Sequence, residues 1–154
     1  MNWEAIGAVG EIVGATAVVV TLLYVAVQIR NGTRETQAMG VQAAASMDQE
    51  FLLTIGASPV LANLWATYLA APETLPDHQK LQGVYLMASL LRRTENIRLQ
   101  KRLGTLSEEG WESRQPMIDG IANSAGYAAF LKSPPAAYFT KEFRDYMAQL
   151  VPDE

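Results

Sequence analysis

Residues 6–29 read IGAVGEIVGATAVVVTLLYVAVQI, and the rest of the chain is organised around this stretch. At about 1.5 Å of helical rise per residue it reaches roughly 36 Å, enough to cross a hydrocarbon core of about 30 Å with modest tilt. Glu11 is its one charged residue, and Thr16, Thr21, Tyr24 and Gln28 are its other polar members. Threonine hydroxyls can bond back to the carbonyls of their own helix. A buried helix of a soluble protein is the competing reading, but a core helix this long without a polar face is out of proportion to so small a domain. A cleaved signal peptide is disfavoured as well: MNWEA, ahead of the run, carries no positive charge, and the run is longer than a signal-peptide core. The expectation is a transmembrane segment over 1–31 and a cytoplasmic helical domain over 32–154.

Orientation follows from the flanks. No Lys or Arg precedes the run, whereas Arg30 and Arg34 follow it at once. The positive-inside rule then places the N-terminus outside and the remaining chain in the cytoplasm, with Trp3, Tyr24, Arg30 and Arg34 as the membrane anchors.

Within the run the first half is small and the second bulky and β-branched. Gly7, Gly10, Gly14, Ala17 and Thr21 recur at alternating spacings of three and four, which places them along one stripe of a helix. Small residues in such a stripe let two backbones approach closely, and packing is what drives association in lipid. The stripe is therefore the expected seam of a homo-oligomer. Glu11 lies beside it, and an intramembrane carboxylate is a functional candidate by default. Two registers are open for it. If Arg30 marks the inner boundary, about 20 spanning residues leave Glu11 within roughly 3 Å of the outer edge. If Trp3 and Tyr24 are the two anchors, they stand roughly 31 Å apart and Glu11 sinks about 12 Å deep, where it needs a partner or a wet interior. Gln28 and Arg30 mark the inner end more firmly than one tyrosine does, which favours the shallower register.

Composition bounds the body. The 49% hydrophobic content of the 154 residues overstates its share, because much of it sits in the apolar run. A net charge of −4 argues against a general nucleic-acid binder. The absence of cysteine removes disulfides, thiolate metal sites and thiol nucleophiles, and suits a cytoplasmic body. His78 is the single histidine, so no histidine-based metal cluster is expected, and no base is at hand to activate a serine or threonine. No catalytic, cofactor-binding or metal-ligating residue is assigned, and the expected class is not an enzyme.

Along the body every pattern is helical. The first helix is expected to run on through 33–55, with a bend at Gly32, on an apolar face of Ala38, Val41, Ala45, Phe51, Leu52 and Ile55. Ser58 and Pro59 start a short helix to Ala70. The longest body helix is expected from about Pro76 to Leu103, with Leu86, Met87, Leu90, Leu91, Thr94 and Ile97 inward and Gly104 as its stop. Ser107 caps a helix to about Ala122, with Glu108, Glu109 and Glu112 near its positive end and Trp111, Met117, Ile118 and Ile121 inward. A further helical segment covers 123–132, Ser133-Pro134-Pro135 breaks it, and Thr140 caps a last helix to Leu150. The expected fold is all-α.

MNWEAIGAVGEIVGATAVVVTLLYVAVQIRNGTR, LLRRTENIRLQKRLGTLSEEGW and FTKEFRDYM together resemble a large family of small uncharacterised bacterial membrane proteins. The resemblance is weakest over 123–138. It implies one N-terminal span, a helical cytoplasmic domain and a place in the bacterial inner membrane, and it carries over no functional residue.

The densest charge cluster is RRTENIRLQKR, where Arg92, Arg93, Arg98, Lys101 and Arg102 surround Glu95 and make up five of the chain's 12 basic residues. Glu95 stands three residues from both Arg92 and Arg98, the geometry of a helix-surface network. Ion pairing within the protein or between subunits is the expected role, with a patch for anionic headgroups or an acidic partner as the alternative. Taken together, the chain reads as a membrane-anchored homo-oligomeric scaffold or accessory subunit of a larger membrane complex. The alternative is a homo-oligomeric cation pore lined by the first helix, with Glu11 as an acidic ring.

Overall fold

The computed structural model describes residues 2–150. All regular structure among them is helical, with no strand. The first helix, α1, runs Trp3–Gly56 without interruption, with no break at Asn31-Gly32. One glycine costs a helix interior only about 1 kcal/mol, which a helix of 54 residues absorbs. Thr33 and Thr36 turn their hydroxyls onto the carbonyls of Ile29 and Gly32, at 3.0 and 2.9 Å. The chain divides into two compact units between Met39 and Gly40. Within the second unit, a Cβ on Gly40 would sit 2.6 Å from the Thr105 carbonyl oxygen.

The second unit, from Gly40, holds the core. Ser58 accepts a hydrogen bond from the Leu61 amide at 3.3 Å and opens α2, Pro59–Ala70. A 3₁₀ turn at Pro72–Thr74 leads to α3, Asp77–Arg102. Gly104, at φ 73°, takes the left-handed turn after α3 that a side chain would resist. Short helices follow: α4 Glu108–Glu112, α5 Gln115–Ala122 and α6 Ala125–Leu131, the first and third capped by Ser107 and Ser124. A 3₁₀ turn at Pro134–Tyr138 precedes α7, Lys141–Gln149, capped by Thr140.

The single helix expected from Ser107 to Ala122 is two helices, and Pro116 is the reason. It has no N–H to give the Glu112 carbonyl, and its ring opposes continuation of the preceding turn. The chain therefore breaks at Ser113-Arg114 and restarts. Met117 is 38% exposed yet still lines an apolar cavity with Leu90, Leu91 and Thr94, while Ile118 and Ala122 are buried.

The centre of the body is Tyr68 of α2, stacked on Trp65 at 6.1 Å and almost fully buried. Two other helices reach it through glycines. A Cβ on Gly83 of α3 would lie 2.1 Å from the Tyr68 ring, and one on Gly126 of α6 would lie 2.5 Å from the Tyr68 carbonyl oxygen. Burial pushes the Tyr68 phenol up to about 12, so the residue stays neutral. Tyr127, Phe130, Phe143, Met87 and Met147 are the other large side chains that are fully buried among the described residues. The Tyr127 hydroxyl donates to the Met147 carbonyl at 2.7 Å and ties α6 to α7.

Candidate functional site

The two stretches singled out by sequence fall in different units. In α1, Gly7, Gly10, Gly14, Ala17 and Thr21 are all exposed, and a Cβ on any of the three glycines would meet nothing within 4 Å. Glu11, Trp3, Tyr24, Arg30 and Arg34 are exposed too. Thr16 and Thr21 donate to the carbonyls of Ile12 and Ala17, both at 2.8 Å. The one hydroxyl in the stripe is thereby bonded within its own helix.

The basic block lies on α3, and its arginines divide among different tasks. Arg92 pairs with Glu95, donates to the Tyr138 carbonyl at 2.9 Å and sits 4.4 Å over the Phe139 ring. The second oxygen of Glu95 accepts from the amide and the hydroxyl of Thr140, at 2.9 and 2.8 Å. Thr140 in turn accepts from the Phe143 amide. Glu95 therefore anchors the start of α7 from 45 residues upstream in the chain. Its side chain is only 14% exposed. Burial raises its carboxyl, but the two Thr140 donors and Arg92 together outweigh that and hold it below the ordinary glutamate value.

Arg98 is a correction to the expected Arg92–Glu95–Arg98 network. With Glu95 engaged by Arg92 and Thr140, the Arg98 guanidinium lies instead 4.0 Å over the Tyr146 ring of α7. Lys101 bonds Glu108 at 2.7 Å, and Arg102 pairs with Glu142. Most of the block thus fastens α3 to the segments that follow it. Arg92, Glu95, Arg98 and Arg102 line one face of a groove of about 230 Å³, closed on the other side by Thr140, Glu142 and Phe143.

Sequence reasoning missed a second charged centre. Arg93, 8% exposed, places Nε 3.1 Å from Asp48 Oδ1 of α1, an ion pair without hydrogen-bond alignment. Arg114 donates from Nε to Asp48 Oδ2 at 3.1 Å and brings Nη2 to 3.0 Å of the same oxygen as an ion pair. Arg93 also reaches the Met47 carbonyl at 3.3 Å and the Phe51 ring at 5.0 Å. Burial lowers the Arg93 guanidinium; Asp48 opposes that and Arg114 adds to it. One carboxylate thus holds two guanidiniums where α1, α3 and the α4–α5 break meet. The signal was available in register. Arg93 falls on the stripe 86, 90, 93, 97, and Asp48 on 44, 48, 51, 55, both at core-facing spacings of three and four.

Removing the Glu95 carboxylate should cost the body roughly 2 kcal/mol, the sum of a lost cap and of hydrogen bonds to a charge. Because the folded carboxyl lies below the ordinary value of 4.5, its contribution is complete above that pH and fades as pH falls through the lowered value. Glu95→Gln should therefore flatten the acid limb of stability against pH. An acid limb identical to that of the wild type in thermal melts would contradict this role.

Among the described residues no three His, Asp or Glu side chains converge to hold a metal ion. No protein-family model, curated protein or solved structure matches the chain.

Proposed function

We propose that this chain is a single-pass protein of the bacterial inner membrane that serves, without catalysis of its own, as a homo-oligomeric scaffold or as an accessory subunit of a larger membrane complex. The observation that carries the reading is the exposure of α1. From Ile6 to Ile29 its large apolar side chains are 45–67% exposed, and an 18-residue window with mean hydropathy 2.3 has no buried residue. Each Val, Leu or Ile left in water forgoes roughly 1.5–3 kcal/mol of burial, so this helix calls for an apolar surrounding. Thr16 and Thr21, bonded to their own backbone, suit lipid. Arg30 and Arg34 at one end and Glu4 at the other support a cytoplasmic body. The open faces of Gly7, Gly10 and Gly14 support close packing against a second copy.

A reporter active only in the periplasm, fused after Glu154, should stay silent; a strong signal would overturn the orientation. Gly14→Leu should abolish or sharply reduce the crosslinked oligomer, while Val19→Leu leaves it intact. An unchanged oligomer in Gly14→Leu would reject the stripe as the contact. In planar bilayers neither wild type nor Glu11→Gln should conduct, and reproducible cation-selective steps from the wild type would replace the scaffold with a pore.

A further inference from the structure

We infer that the groove between α3 and the start of α7 binds a phosphomonoester, held by Arg98 and Arg102. Three arginines of α3 line this groove, Arg92, Arg98 and Arg102, together with the carboxylates Glu95 and Glu142. Their bonding states differ. Arg92 is committed to Glu95, Tyr138 and Phe139. Among the described residues Arg102 is held by Glu142 alone, and both side chains of that pair are more than half exposed, so the pair is worth under about 1 kcal/mol and can open. Arg98 has no carboxylate partner among the described residues, and its Nε is buried without a hydrogen bond among them. Its guanidinium rests on the Tyr146 ring, an arrangement that fixes the planar fork and leaves its donors for an anion.

Charge chooses the ligand class. At rest the groove holds three positive and two negative groups. Release of Glu142 from Arg102 leaves two unpaired guanidiniums, which matches the charge of about −1.5 to −2 on a phosphomonoester near pH 7. A carboxylate or a phosphodiester brings only one charge and competes less well with Glu142. Asn96, at the groove wall, supplies a neutral amide donor for the ester. A free metabolite phosphate and the headgroup of phosphatidic acid share this chemistry. The site lies wholly within the second unit, so it does not depend on α1 spanning a bilayer.

The test uses the full-length chain in a neutral detergent, titrated separately with inorganic phosphate, glycerol 3-phosphate, short-chain phosphatidic acid and short-chain phosphatidylcholine. Binding is read by thermal shift and native mass spectrometry. The phosphomonoesters should bind saturably and phosphatidylcholine should not. Arg98→Gln should weaken binding about tenfold or more, the loss expected for charge-assisted hydrogen bonds. Glu142→Gln should strengthen it, because the competitor for Arg102 is gone. Equal affinity for glycerol 3-phosphate and phosphatidic acid would assign a soluble ligand, and tighter retention of phosphatidic acid a headgroup. Absence of saturable binding by every phosphomonoester would overturn the site. So would affinity unchanged in Glu142→Gln, a variant that leaves the Tyr146 and Glu95 contacts in place, or affinity unchanged in a folded Arg98→Gln.

Discussion

Asp48→Ala is expected to lower the stability of the body by about 3–5 kcal/mol, the usual cost of removing one partner from a buried ion pair. Against a typical total of about 5–15 kcal/mol for a domain, this is the largest single-residue loss anticipated here. The side chain is one carboxylate between two guanidiniums, Arg93 at 8% and Arg114 at 13% exposure. Without it, two cations face each other in a desolvated site, held among the described residues by the Met47 and Gly110 carbonyls, the Met117 sulfur and the Phe51 ring. Denaturant unfolding of the full-length chain measures the loss. Replacing the charges together, as Asp48→Leu with Arg93→Met and Arg114→Met, should recover most of it, since apolar groups of similar volume often match a buried ionic cluster. A loss under about 1 kcal/mol for Asp48→Ala would show the centre to be solvated.

Gly126→Ala should cost about 3 kcal/mol, the upper part of the range for overpacking a core, even though alanine is the better helix former by about 1 kcal/mol. The new methyl would stand 2.5 Å from the Tyr68 carbonyl oxygen, a backbone atom that moves only if α2 and α6 separate. Gly83→Ala should be of similar size, because its methyl meets the near side of the Tyr68 ring and that ring is sealed on Trp65. Gly120→Ala is the internal control. It lies in α5 with nothing within 4 Å, so the propensity gain is unopposed and the variant should be slightly more stable than wild type. Thermal melts of the three variants give the comparison. Equal effects at positions 120 and 126 would mean that the close approach at Tyr68 does not constrain the packing.

What was legible in the sequence was what local chemistry determines. Ser58-Pro59, Ser107 and Thr140 cap helices as their types and positions predict, and Gly104 takes the positive φ expected of a stop. The apolar run and its unbroken helix belong to the same class, since periodicity and length decide them. The break inside 107–122 was also local, and Pro116 carries it; the apolar periodicity on either side obscured it. The charged centres were harder. Counting positions offers Arg98 to Glu95 as readily as Arg92, but Thr140 and Tyr146, about 45 residues away, decide which arginine Glu95 receives. Asp48 and Arg93 were visible only as charges in core register, and a polar residue in that register says that a partner exists without saying where it is.

The attachment of Glu95 to Thr140 also bears on the order in which the body forms. A helix of nine residues is too short to persist alone in water, and α7 takes part of its anchoring from a carboxylate on α3. It can become stable only after α3 is in place with Glu95 presented. Docking of α7 is therefore expected to be a late event, after the transition state. Substitutions at Thr140 or Glu95 should leave the folding rate nearly unchanged and appear almost entirely as faster unfolding.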